Sequence, residues 1–339
     1  MTNNLIQKKD VNGAGRKYTC ASFFAGVGGI DLGFEQNSIF EVIYANEIDK
    51  YPATTYELNS KIKVDIRDIR EINSNDIPDI DILMGGFPCQ AFSIAGLQEG
   101  FSDSKNRGTL FFELIRIIES KNPSIVFFEN VKNLVTHDNG NTFKVIIDSL
   151  EEKGYFVKYK VLNASEYGNI PQNRERIYIV GFKNKAVYDN FSFPNKIELT
   201  TKLSDIIDFD IKIDDKYYYT EEKFKGDIYE KLVEAMNDEN AVYQWRRKYV
   251  RKNKNGVVPT LTANQGEGGH NVCLIKTKYG IRKMTPKECF NAQGFPKNFK
   301  LPDMSDSRLY KQAGNSVCIS VIFRIAEKIK GALQKVYGE

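Results

Sequence analysis

The chain has 339 residues, of which 41% are hydrophobic and 27% charged, as expected for a soluble globular protein with one large domain and a smaller one. No apolar stretch approaches the roughly 20 residues of a membrane span, and the polar N-terminus lacks the apolar core of a secretory signal. Five scattered cysteines without a CxxC pair and only two histidines argue against a metal site and a disulfide framework and fit a reducing cytoplasm, while the net charge of +4 is too small to identify a partner.

Short apolar runs alternate with helical patterns in the first half of the chain. The runs predict strands at 18–24, 41–47, 81–86, 124–130, 155–163 and 176–182. Amphipathic patterns predict helices at 109–121 and 142–154. Strands alternating with helices indicate an α/β fold with a doubly wound, mostly parallel sheet, which binds ligands outside the carboxyl ends of its strands.

A glycine turn, FAGVGG, follows the first predicted strand and leads into a helix. Glycines there let the backbone approach a ligand closely, and Glu47, at the end of the next strand, can take two ribose hydroxyls. The pattern is compatible with a dinucleotide, with S-adenosylmethionine or with a plain tight turn. Asp65 could reach an adenine amino group, although an acid that caps the following helix is the commoner interpretation.

Cys89 lies just past the end of the strand 81–86, beside Pro88, which restricts the path of the chain. A structural cysteine would lie inside the apolar run, whereas this one comes after it. As a nucleophile it would need its thiolate form stabilised. A buried cysteine at a strand end is the alternative interpretation.

Charged residues also mark the ends of two later strands. Glu129 ends the strand 124–130, where apolar surroundings could raise its pKa and suit it to donate a proton, although a helix-capping acid is the simpler interpretation. Arg174 and Arg176 are two residues apart at the start of the last strand and therefore share a face. A surface basic pair is the usual explanation, but binding of an anion or carbonyl is plausible at this position.

The composition and periodicity of the sequence change after about residue 194. Residues 241–265 contain no acid but six arginines and lysines interleaved with aromatics, which suits phosphate contacts or a solvated charged face. The following glycine-rich segment, TLTANQGEGGHN, has side chains that can hydrogen-bond base edges. We predict a flexible lead at 1–16, a catalytic and cofactor-binding domain at 17–194, a second domain at 195–300 and a segment at 301–339 that returns to the first domain as a terminal helix, NSVCISVIFRIAEKIKGALQKV.

Seven blocks in order resemble the DNA (cytosine-5) methyltransferases of bacterial restriction–modification systems. These blocks are FAGVGG, GFPCQAFS, DSKNRGTLFFE, FFENVKNL, QNRERIYIVGF, RKMTPKECFNAQGFP and QAGNSV. The resemblance covers nearly the whole chain after the first 16 residues. It implies a Rossmann-like, S-adenosylmethionine-dependent catalytic domain and an irregular target-recognition domain at 195–300.

The resemblance also implies a mechanism in which Cys89 attacks C6 of a cytosine flipped out of duplex DNA. Glu129 would protonate or hydrogen-bond N3, Arg174 would hold O2, and Arg176 would steady the thiol environment. C5 then takes the methyl group, and loss of the C5 proton expels Cys89.

The cofactor, S-adenosylmethionine, leaves as S-adenosylhomocysteine, and the resemblance places it against one set of residues. They are Phe24, Ala25, Gly26, Gly28, Gly29, Glu47, Ile48, Asp65, Ile66, Pro88, Leu110, Asn315 and Val317. The family often has an aromatic where this chain has Ile48, and its D-x-R-G loop is tighter than DSKNRG.

Double-stranded DNA is the implied partner. The contacts expected for it are Gln90, Ser93, Arg246, Arg247, Thr262, Asn264, Gln265, Gly266 and His270. Residues 90–108 are predicted to form a mobile loop that closes on the flipped base. We expect a cytoplasmic monomer without a metal, and a cognate restriction endonuclease encoded nearby is a candidate partner.

Other classes of protein leave these blocks unexplained. A thiol hydrolase could pair Cys89 with His137 or His270, but neither histidine lies in a recognisable motif. A nicotinamide-dependent oxidoreductase would use only the glycine turn and Glu47. A catalytically inactive DNA-binding relative is disfavoured because the candidate catalytic residues are all present, and an RNA-methylating member is the runner-up.

Overall fold

A computed structural model describes residues 17–88, 110–224, 227–265 and 269–338. The predictions made for Cys89, Gln90, Ser93, Gly266 and the loop at 90–108 lie outside these residues. Within the four described ranges, no helix combines the length and the apolarity needed to cross a membrane.

The main sheet has six strands in the order β2-β1-β3-β4-β6-β5. The strands are β1 (Tyr18–Phe23), β2 (Phe40–Asn46), β3 (Ile82–Gly85), β4 (Ile125–Val131), β5 (Phe156–Asn163) and β6 (Glu175–Phe182). The first four run parallel to one another, and β6 is antiparallel to both of its neighbours. The predicted α/β fold with a mostly parallel sheet is therefore confirmed.

The reversed direction of β6 follows from a short connection. Only residues 164–174 join β5 to β6, which is fewer than the dozen or more that a parallel crossover needs. The chain therefore turns back and fills the place that the crossover from β4 to β5 leaves open. As a consequence, the residues at the start of β6 lie beside the end of β4.

Helices cover both faces of this sheet. The helices along the chain are α1 (Gly29–Glu35), α2 (Lys50–Asn59), α3 (Leu110–Lys121), α4 (Asn141–Glu152), α5 (Ala164–Tyr167), α6 (Lys185–Asn190), α7 (Asp227–Ala235), α8 (Pro286–Asn291), α9 (Asp306–Asn315) and α10 (Ile319–Tyr337). The apolar stripes of α3 and α4 pack on one face, and those of α1 and α10 pack on the other. Helices α1 and α10 approach so closely that a Cβ on Gly33 would lie 2.5 Å from Ile322 Cβ.

The terminal helix begins later than its sequence pattern predicts. The apolar pattern suggested one helix from Asn315, but Ser316 and the cap residue Cys318 are extended, so α10 starts at Ile319. The break between α9 and α10 matters because it brings residues 314–317 to the edge of the main sheet.

A smaller antiparallel sheet lies in the second half of the chain. Its order is β10-β9-β7-β8, and its strands are β7 (Val242–Trp245), β8 (Val250–Lys252), β9 (Leu274–Thr277) and β10 (Gly280–Lys283). The basic tract thus forms the β7–β8 hairpin, with Arg247 at positive φ in its turn. Behind the sheet, the Arg282 guanidinium and the Glu288 carboxylate form a fully buried ion pair, 2.7 Å apart. The domain boundaries stay a prediction.

Candidate active site

A cavity of about 540 Å³ opens at the carboxyl ends of the parallel strands. Its walls are 24–27 after β1, 47–49 after β2, 86–88 after β3 and 129–131 at the end of β4. Residues 314–317, between α9 and α10, close it from the side. The cavity therefore occupies the position where doubly wound sheets bind ligands.

The glycine turn after β1 is held in a conformation that glycine favours. Gly26 has a φ of 56°, and its N–H donates to Glu47 Oε2 over 2.9 Å. Gly29 has no room for a side chain, because a Cβ there would lie 2.8 Å from Ser316 Oγ and 2.9 Å from Val317 Cγ2. The turn thus brings backbone, rather than side chains, to the cavity wall. Phe24 and Ala25 line the cavity with these two glycines.

Gly28 is not among the residues that line this cavity, and its predicted role as a cofactor contact stays a prediction. It precedes α1 with a φ of 85°, and a Cβ on it would lie 2.9 Å from the ring of Tyr56. The absence of a side chain at this position serves packing against α2.

Asp31, on α1 just after the glycine turn, joins α1 to β1 and α2 through hydrogen bonds, and the sequence pattern did not identify it. Its buried carboxylate accepts hydrogen bonds from Ser22 Oγ and from Tyr56 Oη, each 2.6 Å long. Burial, the largest cause, and the nearby Glu35 raise the pKa of Asp31 to about 6, against the opposing effect of the two hydroxyls.

Replacing Asp31 with asparagine should therefore change how stability depends on pH. A raised folded-state pKa means that the stability contributed by Asp31 is complete below its unfolded pKa of about 3.9 and is lost as pH rises through about 6. Between about pH 4 and pH 7, the difference in unfolding free energy should move by about 2 kcal/mol in favour of the variant. Denaturant unfolding at several pH values measures this difference, and parallel curves for the two proteins would refute it.

Glu47 lies in the cavity wall with its carboxylate fixed at both oxygens. Oε2 accepts from Gly26 N and Oε1 from Asp49 N, each over 2.9 Å. Burial raises the pKa of Glu47, while these two hydrogen bonds oppose the shift. Each oxygen keeps a second lone pair, so the carboxylate can still accept from a ligand hydroxyl. Ile48, beside it, is 60% exposed and lines the same cavity.

Asp65 and Ile66 are not among the residues that line the cavity, and their predicted roles as cofactor contacts stay a prediction. The main chain of Asp65 bridges to β2 at Asn46, and its carboxylate pairs with Arg67 over 2.7 Å. That guanidinium is the main reason why the pKa of Asp65 is lowered. Ile66 is 57% exposed.

Asp68 and Ile69 line the cavity instead. The sequence DIRDI contains the same acid–isoleucine pair twice. Asp68 and Ile69 match the pattern expected for an adenine contact as well as Asp65 and Ile66 do, so the sequence alone does not decide between the two pairs.

The catalytic carboxyl candidate, Glu129, lies at the end of β4 and is buried. In the antiparallel register Glu129 faces Tyr178, and Arg176 is two residues earlier on β6, on the same face. Arg176 Nε lies 3.1 Å from Glu129 Oε1. Burial raises the pKa of Glu129, and the charges of Arg176 and Arg174 oppose that shift.

Arg174 is also buried, but its guanidinium is occupied by main-chain carbonyls. It donates to Leu261 O over 2.9 Å, to Gly314 O over 3.0 Å and to Ser316 O. Burial and the like charge of Arg176 lower the pKa of Arg174 to about 9, which leaves it a cation at neutral pH. Arg176 therefore lies beside the Glu129 carboxyl group, while Arg174 bonds to main-chain carbonyls. Their predicted roles toward the base and the thiol stay a prediction.

The remaining predicted cofactor contacts, Pro88, Leu110, Asn315 and Val317, line the cavity. Further lining residues were not predicted: Pro52, Asp68, Ile69, Lys311 and Gln312. Apart from the repeated acid–isoleucine pair, no pattern in the sequence marks them. Neither His137 nor His270 is among the described residues that line the cavity.

A second, open groove of about 890 Å³ separates the small sheet from the segment before β6. The basic side chains along it are Arg246, Arg251, Lys252 and Lys254. Of these only Arg246 was predicted to contact DNA, and the predicted Arg247 is exposed at the hairpin turn outside the groove.

The predicted base-reading residues differ in how accessible they are. Thr262 Oγ1 donates to Asn264 Oδ1 over 2.9 Å, and Asn264 is exposed. His270 accepts a hydrogen bond from Arg246 through its main-chain oxygen, which leaves its ring uncommitted by that contact. Gln265 is only 3% exposed, and its amide donates to Cys289 Sγ over 3.2 Å. Its predicted role in base reading stays a prediction, although its side chain is buried and bonded here.

Comparison with known proteins gives consistent matches over nearly the whole chain. Residues 18–331 match the family model for C-5 cytosine-specific DNA methylase. Type II methyltransferase M.Bsp6I of Bacillus sp. (strain RFL6) is 60% identical over 309 residues, covering 91% of this chain and 97% of that protein. Type II methyltransferase M.HhaI of Haemophilus parahaemolyticus is 41% identical over 339 residues, with 97% and 98% covered.

Solved structures share the fold. A crystal structure of a Spodoptera frugiperda DNMT2 mutant superposes with a TM-score of 0.71 at 19% identity, covering 93% of this chain and all of that one. The Entamoeba histolytica methyltransferase EhMeth gives the same TM-score and identity, covering 95% of this chain and 99% of that one. At this identity the two structures support the fold alone.

Proposed function

Because the chain belongs to the family of C-5 cytosine-specific DNA methylases, and is a DNA (cytosine-5) methyltransferase of the type II restriction–modification class, we propose how its residues carry out the reaction. The methyl group of S-adenosylmethionine passes to C5 of a cytosine flipped out of duplex DNA. The observation that carries this proposal is that a single cavity joins the glycine turn and Glu47 to the Glu129–Arg176 pair.

The cavity residues fit S-adenosylmethionine. Glu47 presents carboxylate lone pairs suited to ribose hydroxyls. Asp68 is paired with Arg70, as Asp65 is with Arg67, but it lines the cavity and its carboxylate keeps a lone pair suited to the adenine amino group. Gly26 and Gly29 expose backbone where a side chain would narrow the cavity. When bound, S-adenosylmethionine supplies an electrophilic methyl group on a sulfonium.

Cys89 is proposed as the nucleophile from its place in the PCQ block. Cytosine C5 is a poor nucleophile, and addition of the Cys89 thiolate to C6 turns the ring into an enamine-like species. The electrons displaced toward N3 are accepted there as Glu129 donates a proton. C5 then forms its bond to the methyl group, and loss of the C5 proton breaks the bond between sulfur and C6.

Arg176 is proposed to hold the base, and Arg174 to hold the walls of the site. Arg176 adjoins the Glu129 carboxyl group, so a base that meets Glu129 at N3 also meets Arg176 at the neighbouring O2. The two terminal nitrogens of Arg174 donate to the carbonyls of residues 261, 314 and 316, while its buried Nε has no partner among the described residues. These bonds hold the cofactor wall and the second half of the chain against β6.

The proposed adenine contact can be tested with a matched pair of variants. Asp68→Asn should weaken S-adenosylhomocysteine binding by about tenfold, as expected for loss of a charge-assisted hydrogen bond. Asp65→Asn removes the same charge three residues away, outside the cavity lining, and should change the affinity less than about twofold. Calorimetric titration of both variants measures this, and the opposite ranking would restore Asp65 as the contact.

Residues 195–300 are proposed to recognise the target DNA. The groove lined by Arg246, Arg251 and Lys254 suits the phosphate backbone, and Thr262 and Asn264 lie at the start of the glycine-rich segment, within reach of base edges if that segment enters a groove. We further propose a cytoplasmic monomer that needs no metal and that protects its host against a cognate endonuclease.

Mapping the product tests this function directly. A plasmid lacking 5-methylcytosine, incubated with the purified protein and S-adenosylmethionine, should gain it at one short sequence, as read by bisulfite sequencing. Methyl groups on exocyclic amines, or none at all, would refute the proposal.

A further inference from the structure

The segment that leads into Arg174 pairs directly with the stretch that leads into the glycine-rich segment. Asn173 N donates to Val258 O over 2.8 Å, and Val258 N donates to Pro171 O over 2.7 Å. Thr260 Oγ1 adds a bond of 2.6 Å to Asn173 O. Residues 171–174 and 258–261 therefore form one short ladder between the two halves of the chain.

Gln172 lies at the centre of this ladder and is fully buried. Its Oε1 accepts from Leu261 N over 3.2 Å. Its Nε2 donates to Ala292 O over 2.5 Å and reaches Gln293 Oε1 at 3.3 Å. One amide thus links the segment before Arg174 to the turn after α8 and to residues 258–265, which we call the recognition stretch.

The amide chain continues to the cofactor wall. Gln293 Nε2 donates to Ala313 O over 2.8 Å, and Gln293 O accepts from Ile319 N over 3.0 Å. These two bonds hold the ends of the break between α9 and α10, whose residues line the cofactor cavity. Gln172 is therefore tied to the cavity through one neighbour.

Close packing allows the recognition stretch little freedom on its other side. A Cβ on Gly314 would lie 2.2 Å from the carbonyl carbon of Thr262 and 2.5 Å from Ala263 N. The Arg174 guanidinium also joins Leu261 O to Gly314 O. The stretch is thus pressed against the cofactor wall, and the Gln172–Leu261 bond sets its position along that wall.

We propose that Gln172 is a positioning residue that holds the recognition stretch, residues 258–265, at a fixed position relative to the Glu129–Arg176 pair, where the flipped base is proposed to bind. Discrimination between DNA sequences then depends on Gln172. The inference rests on the proposed function, in which this part of the chain reads bases. Loss of the amide would leave the N–H of Leu261 and the carbonyl of Ala292 without these partners. The recognition stretch would then shift relative to Glu129 and Arg176, and mismatched sequences would be penalised less.

The test compares two Gln172 variants with a control. Gln172→Met keeps the length of the side chain but neither donates nor accepts these bonds, and Gln172→Asn is too short to reach Leu261 N and Ala292 O together. Asn37→Leu is the control, because Asn37 is a buried amide bonded to Phe323 O, outside the cavity and the groove.

Each protein methylates a plasmid library with random bases around a cytosine, and bisulfite sequencing gives the initial rate for every sequence. S-adenosylhomocysteine affinity is measured in parallel. We expect Gln172→Met to reduce the ratio of rates for the preferred sequence and its single mismatches by about tenfold, since one mismatch typically costs about that much or more. Cofactor affinity should stay within about twofold, because the bonds of Gln293 to Ala313 O and from Ile319 N do not involve Gln172. Asn37→Leu should keep the wild-type ratio.

Two results would overturn the inference. The first is a wild-type ratio of rates for preferred and mismatched sequences in Gln172→Met, whatever the overall rate or stability of that variant. If Gln172→Met does not fold, the same result in Gln172→Asn overturns the inference. The second is the absence of 5-methylcytosine with the wild-type enzyme, which would overturn the proposed function as well. Because the wild-type arm and the ratio are read separately, the two failures are distinguishable.

Discussion

Serine in place of Cys89 is expected to lower the rate of methyl transfer by at least about 10³-fold, as for loss of a catalytic nucleophile in other enzymes. A serine hydroxyl is far less ionised than a thiol at neutral pH and is the poorer nucleophile toward C6. DNA and cofactor binding should persist, because the proposed contacts for both lie on other residues. Single-turnover methylation with labelled S-adenosylmethionine, together with separate binding titrations, measures these effects.

A second cysteine provides the control for that result. Cys273 is buried behind the small sheet, and burial raises the pKa of its thiol to about 12. Cys273→Ala should therefore keep nearly the full rate. Normal turnover in Cys89→Ser would refute the nucleophile assignment, and loss of cofactor binding there would point to a structural role instead.

Glutamine in place of Glu129 is expected to lower kcat by about 10²- to 10⁴-fold, the usual contribution of a general acid. The amide keeps the shape of the side chain but cannot deliver a proton to N3. Glu175→Gln provides the matched control, since Glu175 is an exposed carboxylate on β6 that pairs with Lys132 over 3.0 Å. The control should keep the wild-type rate, and an unchanged rate in Glu129→Gln would exclude the proposed acid.

The pH dependence of the same variant supplies a second test. Burial raises the pKa of Glu129 from its ordinary value, against the opposing charges of Arg176 and Arg174. The protonated acid therefore persists to higher pH than in water, and the wild-type rate should fall as pH rises through that raised pKa. The residual rate of Glu129→Gln should not show this decrease with rising pH. If it does, the decrease reports the titration of another group.

Local patterns allowed the main sheet to be predicted from the sequence, but not the reversed direction of β6. The strands are short apolar runs with clear ends, and β3 and β4 are buried along almost their whole length. The reversal of β6 depends on the length of the connection after β5 and on the gap beside β4, which are properties of the assembled sheet. That reversal brings Arg176 beside Glu129.

Within the site, the sequence indicates which residues line the cavity where a residue follows directly from a strand end. It does not indicate this where the position of a side chain depends on contacts with distant residues. The glycine turn and Glu47 follow from strand ends and occupy the expected cavity wall. The choice between Asp65 and Asp68 depends on a main-chain bridge to Asn46, and the burial of Gln265 depends on Cys289, 24 residues away. Neither contact leaves a trace in local spacing.

The most direct measurement of the central claim is a trapping experiment on DNA that carries 5-fluorocytosine at the methylated position. Fluorine cannot leave as the C5 proton does, so the enzyme should remain covalently attached after methyl transfer. Incubation with S-adenosylmethionine should give a denaturation-resistant adduct that mass spectrometry maps to Cys89, and Cys89→Ser should give none. An adduct on another residue, or no adduct from an enzyme that methylates normal DNA, would contradict the account.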